Sequence, residues 1–412
     1  MAKITSIKGG ITHKSRGTKT IEVDVISDNQ YLGRTSAPSG ASVGKYEAVS
    51  FPKDGPEESL RILNENSKKF LEFESSDLKS IDETLKSIDQ TPNYSKIGGG
   101  LAYAITIASI ESASKAVGKQ LFELISEQNE YRFPIPIGNI LGGGVHAGPG
   151  TPDIQEILIS APGAKTIRDA IETNFKVHKE LRNVIEKADP SFTNGRGDEG
   201  GWAPKCDNEK ALELCAKACE NLGYTLGNEV SLGVDFASST QWDEEKHLYV
   251  YERAGFENTP EKQIEFAANI IEKYKLIYAE DAVHEEAFGD MSELVSKFPK
   301  TMIAGDDLTV TNKDMLKKAI ENKSCNAAIL KVNQAGSLYD ALEFSKVASN
   351  NNIKLITSHR SGESIDSQIS HIGIGTNSKM LKVGVVGGER VAKLNELIRL
   401  SEHDLIQGMA EV

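Results

Sequence analysis

The pattern of apolar and polar positions changes partway along this chain of 412 residues. Before residue 130, the stretch "KTIEVDVIS" (19–27) alternates as a half-buried β-strand does. The stretch "AYAITIASIESASKAVGKQLFELI" (102–125) has the length and the small-residue face of one long helix, and "SAPSGASVG" (36–44) has the composition of a loop. These patterns predict a mixed α+β unit, and the proline-rich "NEYRFPIPIG" (129–138) predicts a hinge at its boundary.

Beyond this boundary, short apolar runs recur, each followed by charged residues and then by a helical pattern. The later runs follow one another at roughly 25 residues, which is typical of βα units and a parallel sheet. In a closed barrel of such units, active-site groups lie at the carboxyl ends of the strands. The runs are "VSLGVD" with Asp235, "KLIYAED" with Glu280, "TMIAGDD" with Asp306, "NAAILK" with Lys331, "IKLITSHR" with His359 and "KMLKVG" with Lys382.

Composition and charge narrow the class of protein. Hydrophobic residues make up 39% and charged residues 26% of the chain, as in soluble globular proteins. No apolar run approaches the ~18 residues of a membrane span, and the N-terminus lacks the apolar core of a signal peptide. A net charge of −13 argues against nucleic acid and against an anionic membrane as partners. Of the four cysteines, Cys215 and Cys219 lie one helical turn apart and are expected to be buried structural thiols, since no histidine nearby completes a zinc site; a reduced, cytoplasmic setting follows.

Three acidic residues, Asp235, Glu280 and Asp306, end three successive predicted strands. Carboxylates that converge without a counter-charge repel one another, and a hard divalent cation relieves that repulsion. Ligation by oxygen alone favours Mg²⁺ over zinc. The alternative is three separate exposed acids paired with surface lysines, and the apolar run before each acid argues against it.

The next strand ends carry Lys331 and Lys382. A lysine near Mg²⁺ and near a second lysine is expected to have a lowered pKa, so that a neutral amine is accessible near neutral pH. Such an amine can remove a proton from a carbon next to a carboxylate, while the metal and the second lysine hold the resulting negative charge. Taken alone, either lysine is more often a salt-bridge partner.

Two further segments carry polar groups suited to a phosphorylated acid. In "ITSHRSGES" (356–364), Arg360 and Ser361 place a guanidinium beside a hydroxyl, which suits a phosphate, although such triplets also occur in ordinary turns. In "TNGRGDEGGWAPK" (193–205), Asp198 and Glu199 lie between glycines. An acid there could protonate a leaving hydroxyl, and an ordinary turn is an equal alternative.

Taken in order, the motifs of nearly the whole chain resemble those of the enolase family, the phosphopyruvate hydratases of glycolysis. The resemblance implies an α/β protein with an α+β N-terminal capping domain, residues 1–130. This domain packs on a C-terminal (β/α)8-type barrel, residues 131–412, which departs from simple βα alternation at its start. The motifs are "SRGTKTIEVDV", "PSGASVGKYEA", "GDEGGWAP", "GDDLTVTN", "LKVNQAGSL", "SHRSGES" and "ERVAKLNELIRL".

The resemblance implies two Mg²⁺ sites. Asp235, Glu280 and Asp306 match the ligands of the first ion. Ser42, in a mobile loop, matches a ligand of the second ion, whose site the substrate completes.

The resemblance also implies roles in acid–base chemistry. Lys331 matches the base that removes the C2 proton of 2-phosphoglycerate, and Lys382 matches the lysine that neutralises the carboxylate and the enolate. Glu199 matches the acid that helps the C3 hydroxyl to leave. Glu156, near the predicted start of a strand, matches its usual neighbour.

Arg360 and Ser361 match the family's phosphate contacts, and His146 and His359 match its histidines in a closing loop and in the barrel. The glycine run "GGGVHAGP" (142–149) is not a nucleotide-phosphate cradle, because no Lys-Ser/Thr follows it and no helix begins there. It is predicted to be a mobile lid that carries His146 and is hinged by glycines and prolines.

The chain departs from the family's motifs in loops that position substrate. NGGSHAGN is here "GGGVHAGP", with one residue more before the following Gln-Glu pair. IEDP is here "AEDA", and SHRSGETED ends "SHRSGESID". KTGAPARSER becomes the shorter "KVGVVGGER", and SGASTG becomes "SGASVG". A ~1 Å misplacement can cost ~100-fold in rate, so these loops bear on the choice of substrate.

The leading hypothesis is an active, Mg²⁺-dependent enolase, a carbon–oxygen lyase that reversibly dehydrates 2-phosphoglycerate to phosphoenolpyruvate. The altered loop around His146 motivates a second reading, a divergent lyase acting on another phosphorylated carboxylic acid. A non-catalytic binding protein is a third reading, disfavoured because no metal ligand or base is lost. By analogy with the family alone, a homo-oligomer is expected.

Overall fold

A computed structural model describes residues 2–41 and 43–412 of the chain. The first unit is an antiparallel three-stranded sheet in the order β1-β2-β3, with helices packed against it. "KTIEVDVIS" forms a strand as predicted, and Ile21, Val23 and Val25 are its buried face. The elements are β1 (Ile4–His13), β2 (Lys19–Ser27), β3 (Tyr31–Ser36), α1 (Pro56–Asn66), α2 (Leu78–Asp89), α3 (Gly99–Val117) and α4 (Leu121–Ile125), with a 3₁₀ turn at Ser67–Phe70.

The prediction of one long helix over residues 102–125 is wrong, because the segment forms two helices. Gly118 ends α3 in the left-handed conformation, with φ 67°, and its N–H donates to the carbonyl of Ser114. A glycine adopts this helix-ending conformation without the steric cost that a side chain brings. The small-residue face of α3 packs against β2 and β3.

The second unit is a closed barrel with further elements around it. Its strands are β4 (Tyr131–Phe133), β5 (Ile135–Gly142), β6 (Glu156–Ser160), β7 (Ser231–Asp235), β8 (Trp242–Asp243), β9 (Leu248–Tyr251), β10 (Phe256–Asn258), β11 (Tyr278–Glu280), β12 (Met302–Gly305), β13 (Ala327–Leu330), β14 (Lys354–Ser358), β15 (Met380–Lys382) and β16 (Ile406–Met409). Its helices are α5 (Ile167–Ala188), α6 (Asn208–Asn221), α7 (Pro260–Lys273), α8 (Phe288–Lys297), α9 (Lys313–Glu321), α10 (Val332–Ala335), α11 (Leu338–Asn350), α12 (Gln368–Gly375) and α13 (Gly388–Arg399). Three 3₁₀ turns lie at Gly144–His146, Ser238–Thr240 and Leu400–Glu402.

Eight strands close the barrel in the order β11-β12-β13-β14-β15-β5-β6-β7. Strand β6 runs antiparallel to both of its neighbours, whereas the other pairs are parallel. The predicted α/β barrel is therefore confirmed, including its irregular start. Strands β8 to β10 form a separate antiparallel sheet after β7, and β16 pairs with β4.

The predicted hinge at residues 129–138 is wrong, because this segment contains β4 and the start of β5. Tyr131, Phe133, Ile135 and Ile137 are all buried. Ile135 and Ile137 join a cluster of buried side chains contributed by the barrel strands. Pro134 and Pro136 interrupt an apolar pattern whose other members are buried in the core. The proline content of the segment therefore wrongly indicated a hinge. The division at residues 130 and 131 itself stays a prediction.

The predicted strand ends are confirmed. Asp235, Glu280 and Lys382 are the last residues of β7, β11 and β15. Asp306, Lys331 and His359 follow β12, β13 and β14 directly, and they complete the ring of polar side chains at one end of the barrel. Cys215 and Cys219 are buried free thiols on α6, as predicted. Among the described residues, no helix is both long and apolar enough to cross a membrane.

The packing of the first unit predicts that an added methyl group destabilises the protein at Gly33 but not at Gly10. A Cβ at Gly33 in β3 would lie 1.8 Å from the carbonyl oxygen of Ala108 in α3, whereas a Cβ at Gly10 in β1 would meet nothing within 4 Å. We expect Gly33→Ala to lower the free energy of unfolding by about 1–3 kcal/mol because sheet and helix must separate. Urea denaturation measures this change.

The matched control is Gly10→Ala, which removes the same backbone freedom without a clash. It should leave the free energy of unfolding unchanged or raise it by about 0.4–1 kcal/mol. Equal stability of the two variants would contradict the close contact between β3 and α3.

Candidate active site

The carboxyl ends of the barrel strands surround a small cavity that both units line. Gly40, Ala41 and Glu47 reach it from the first unit. The barrel side chains on its wall include His146, Gln155, Glu156, Glu199, Asp235, Asp306, Lys331, His359, Arg360, Ser361 and Lys382. The predicted residue Glu280 contacts Lys382, and Ser42 lies outside the described residues. The structure therefore brings the described members of the predicted site together.

Lys382 holds three carboxylates at the end of β15. Its Nζ lies 2.9 Å from Asp235 Oδ2, 2.5 Å from Glu280 Oε2 and 3.4 Å from Glu156 Oε2, and none of the four side chains is more than 5% exposed. Buried charges are tolerated only when they are paired. Burial opposes the ammonium form, but Asp235, Glu156 and Glu280 outweigh it and raise the pKa of Lys382 well above its ordinary value.

Lys331 pairs with Asp306 across the ends of β13 and β12. Lys331 Nζ donates to Asp306 Oδ2, and Gln334 Nε2 donates to Asp306 Oδ1 at 2.9 Å. Burial again opposes the charge, but Asp306 raises the pKa of Lys331. The expectation of a lowered pKa applies to a lysine beside Mg²⁺ and stays a prediction, whereas the protein groups by themselves raise the pKa values of both lysines. The neighbouring carboxylates act on each ammonium more strongly than the other lysine does.

Glu280 keeps one carboxylate oxygen for which the described residues supply no hydrogen-bond donor. Its Oε2 accepts from the Tyr278 hydroxyl and from Lys382, whereas its buried Oε1 has no such partner. Burial and the charge of Asp235 raise the pKa of Glu280 well above its ordinary value. Ligand oxygens of Glu280, Asp281 and Asp306 lie within 4.8 Å of one another. An all-oxygen set with excess negative charge fits a hard divalent cation such as Mg²⁺.

Asp281 supports this set, although the sequence analysis did not select it. Its carboxylate accepts hydrogen bonds from the backbone N–H groups of Asp306 at 3.0 Å and Asp307 at 2.8 Å. Both of its oxygens thereby fix the turn in which Asp306 lies. The only signal in the sequence was the acidic pair formed with Glu280 at the end of β11.

Two further carboxyl groups, Glu156 and Glu199, lie between histidines. His146 Nδ1 is 3.2 Å from Glu156 Oε1 and 3.9 Å from Glu199 Oε1, and His359 Nε2 is 3.0 Å from Glu199 Oε2. Burial and the charge of Glu199 raise the pKa of Glu156. Burial also opposes the charge on Glu199, but His359 and His146 hold its pKa well below the ordinary value. Of this pair, Glu199 is the carboxyl group held ionised.

Arg390, on α13, sets the orientation of His359. The arginine is fully buried, and its Nη1 lies 2.7 Å from His359 Nδ1. Because a guanidinium only donates, Nδ1 accepts, and the ring proton of neutral His359 must be on Nε2, facing Glu199. Burial, aided by Arg390, lowers the pKa of His359 to about 4.

Arg390 also joins separate segments of the site. Its Nη1 donates to the carbonyl of Arg360 at 2.6 Å, and its Nη2 donates to the carbonyls of Ser361 at 2.6 Å and Asp198 at 3.3 Å. The loop before Glu199 and the loop after β14 are therefore held by one side chain. Sequence reasoning missed it because a single arginine at a helix start carries no local signal.

The predicted phosphate contacts lie against the first unit. Arg360 Nη1 and Nη2 lie 3.0 Å and 3.2 Å from the two carboxylate oxygens of Glu47. Glu47 also accepts from the backbone N–H of Gly44 at 3.0 Å. The hydroxyl of Ser361 accepts from Arg16 Nη1 at 3.4 Å. Glu47 and Arg16 were not predicted, because contacts between distant segments leave no periodic pattern in the sequence.

The fold and the site together define a barrel enzyme whose centre combines a carboxylate set suited to Mg²⁺ with two buried lysines. A family model described as the enolase N-terminal domain matches residues 4–125, and one described as the enolase C-terminal TIM barrel domain matches residues 130–409. The chain belongs to the enolase family.

Curated relatives agree over nearly the full length. The enolase of Methanosphaera stadtmanae is 42% identical over 400 residues, covering 97% of this chain and 96% of the relative. The enolase of Methanothermobacter thermautotrophicus is 42% identical over 402 residues, with the same coverage. The enolase of Pyrobaculum aerophilum is 37% identical over 394 residues, 94% of each chain.

A buried histidine behind the site predicts a pH-dependent stability. His178 on α5 lies 2.9 Å from the carbonyl oxygen of Gly200 and stacks on Trp202, and burial lowers its pKa to about 4. The unfolded chain takes up this proton near pH ~6.5, so it binds more protons than the folded chain at lower pH. The contribution of His178 to the free energy of unfolding should therefore fall as the pH decreases from ~6.5 to ~4.

His178→Gln should reduce that dependence by up to one proton, ~1.4 kcal/mol per pH unit, as measured by urea unfolding across this range. A glutamine amide can still donate to Gly200. His359, whose pKa is also lowered, contributes in the same direction in both proteins, so the difference between them reports His178. His13→Gln, at an exposed position, controls for the loss of an imidazole. An unchanged slope in His178→Gln would contradict a neutral, buried His178.

Proposed function

We propose that this protein catalyses the enolase reaction, the reversible removal of water from 2-phosphoglycerate to give phosphoenolpyruvate, and is thus a hydro-lyase. The observation that carries the proposal is the pairing of Lys331 and Lys382 with Asp306, Asp235 and Glu280 at the barrel mouth. These groups converge although they come from separate strand ends. The membership in the enolase family supports the same assignment.

Asp235, Glu280 and Asp306 would hold the first Mg²⁺, and Ser42 would contribute to a second. Bound there, Mg²⁺ would offset the carboxylate charge and stabilise negative charge that develops on the substrate's carboxylate. Gln155 Nε2 lies 3.3 Å from Asp235 Oδ2 and Gln334 binds Asp306, so both ligands are oriented by amide donors.

Lys331 would take the proton from C2, and it needs its amine neutral to do so. In the arrangement described here Asp306 holds the ammonium form, so the pairing must weaken before the lysine acts. Lys382 would remain charged, which suits a group that stabilises the enolate rather than removing a proton.

On the opposite side of the cavity, the ionised Glu199 would have to take up a proton, which Glu156 with its raised pKa is able to carry, before it passes that proton to the leaving C3 hydroxyl. His359 donates its Nε2–H towards Glu199, and His146 approaches it from the lid. In the direction of water addition, the ionised Glu199 would accept the proton of the attacking water. Glu156, with its raised pKa, is the neighbour able to carry a proton beside it.

Arg360 and Ser361 would bind the phosphate. Since Arg360 is held by Glu47, phosphate binding would compete with that carboxylate or share the guanidinium with it. A divergent lyase for another phosphorylated acid remains the second candidate, and the exposed Val145 in the lid, where the family motif has a serine, favours it. A cytoplasmic homo-oligomer is proposed by analogy with the family.

The first test of the reaction is the removal of the proposed base. We expect the wild-type protein to form phosphoenolpyruvate from 2-phosphoglycerate and Mg²⁺, followed by ultraviolet absorbance. Lys331→Ala should lower kcat by ~100-fold to ~10,000-fold because the C2 proton has no acceptor. Lys313→Ala, at an exposed lysine on α9, is the matched control and should keep full activity. Faster turnover of a different acid by the wild-type protein would decide for the second candidate.

The second test concerns the metal. Chelation should abolish activity, and added Mg²⁺ should restore it. Glu280→Gln removes the charge of the carboxylate with the unsatisfied oxygen and should weaken Mg²⁺ binding by at least ~10-fold in calorimetry. Glu286→Gln, an acid bound by Lys45 and Tyr46, is the control and should bind Mg²⁺ as the wild type does. Equal affinities in all three proteins would rule out Glu280 as a ligand.

A further inference from the structure

The His146 loop, residues 143–153, is ordered by its own backbone. The N–H of Gly143 donates to the carbonyl of Gln155 and the N–H of Gly144 to that of Pro152, both at 2.9 Å. A Cβ at Gly143 would lie 2.3 Å from the Pro152 carbonyl oxygen, so only glycine permits this approach. The loop contains the stretch after His146 in which the chain has one residue more than the family motif before Gln155.

A side chain from a different sheet binds this loop from outside. Arg253 lies in the turn between β9 and β10, and its guanidinium donates to oxygens at three positions of the loop. Nη1 lies 2.7 Å from Thr151 Oγ1 and 3.0 Å from the Pro152 carbonyl, and Nη2 lies 3.0 Å from the Gly144 carbonyl. The planar guanidinium spans both ends of the loop, which the single ammonium of a lysine cannot do.

The loop binds the hairpin turn in return. Asp153, which is buried, accepts the backbone N–H of Arg253 at 3.0 Å on Oδ1 and that of Ala254 at 2.9 Å on Oδ2. The carbonyl of Asp153 also accepts from Gln241 Nε2 at 3.4 Å. Contacts therefore run in both directions between two segments about a hundred residues apart in sequence.

We propose that Arg253 and Asp153 form a clamp through which hairpin β9–β10 positions the His146 loop, so that His146 lies beside Glu156 and Glu199 before substrate binds. Arg253 touches neither His146 nor the carboxylates, and it is a positioning residue. The proposal rests on the proposed function only where it concerns turnover; the order of the loop is a property of the protein alone.

The clamp explains how the His146 loop, although it is one residue longer than the family motif, still positions His146 beside Glu156 and Glu199. Without it, the loop would divide its population between the docked and undocked positions. A substrate that needs the docked loop then binds more weakly in proportion to the docked fraction. Once substrate has bound and the loop has docked, the chemical step is unchanged. Loss of the clamp should therefore raise KM far more than it lowers kcat.

Hydrogen–deuterium exchange of the protein without substrate tests the docking directly. In Arg253→Ala and Arg253→Lys, the amides of Gly143, Gly144 and His146 should exchange ~100-fold faster, in line with the loss of several charge-assisted hydrogen bonds. Asp153→Asn should show the same direction of change through the other half of the clamp. Lys246→Ala is the matched control, since Lys246 lies in the turn between β8 and β9 of the same sheet and pairs with Glu257 on β10 at 3.1 Å instead of with the loop. Exchange in β5 and β6 should stay as in the wild type.

Steady-state kinetics with 2-phosphoglycerate supply the second readout. KM of Arg253→Ala should rise ~5-fold to ~10-fold with kcat within about twofold of wild type. Wild-type exchange of the loop in Arg253→Ala would overturn the clamp. Faster exchange with an unchanged KM would overturn its role in positioning His146. If the wild-type protein does not turn over 2-phosphoglycerate, the proposed function fails, and the exchange measurement still decides on the clamp.

Discussion

The burial of several like charges at one end of the barrel is the constraint on which the rest of the site depends. Asp235, Glu280 and Glu156 converge on Lys382, and Asp306 converges on Lys331, with hardly any solvent to screen them. Carboxylates so placed are stable only with positive charge between them. The same shortage of positive charge that leaves an oxygen of Glu280 unsatisfied makes the site suited to a divalent cation.

That charge balance also separates the roles of the titratable groups. Lys382 meets three carboxylates and is fixed as an ammonium, whereas Lys331 depends mainly on one, Asp306. Of the two lysines, Lys331 is therefore the one that a change in the charge of Asp306 affects more. On the other side, the histidines keep Glu199 ionised and leave Glu156 with the raised pKa. One cavity can thus hold an ionised carboxylate, Glu199, next to a carboxyl group, Glu156, that binds a proton more readily.

The chemically active residues are held in place by other charged residues of the site and its surroundings. Asp281 fixes the turn at Asp306, and Arg390 joins the loop of Glu199 to the loop of Ser361. Glu47 extends this support to the first unit through Arg360. The barrel supplies rigid strand ends, and these contacts fix the positions of the active-site side chains relative to one another. The departures from the family motifs lie in the surrounding loops, where similar supports can compensate for a changed length.

The sequence by itself determined the local features: the strand β2, the polar residues at the ends of β7 and β11 to β15, the buried thiols of α6, and motifs long enough to identify the family. Local periodicity reports which positions are buried, so it could find these elements. It failed where one residue or a distant contact decided the outcome. Gly118 broke a helix whose apolar pattern ran on, and the prolines before Ile137 concealed a barrel strand.

Only the tertiary structure decided which charges meet. The direction in which the pKa of Lys331 moves depends on its distance from Asp306, 25 residues away, and on burial that the sequence does not state. The same holds for Glu47 beside Arg360 and for Arg253 on the His146 loop. Electrostatic interactions depend on distance in space and on the surrounding dielectric, and the fold sets both.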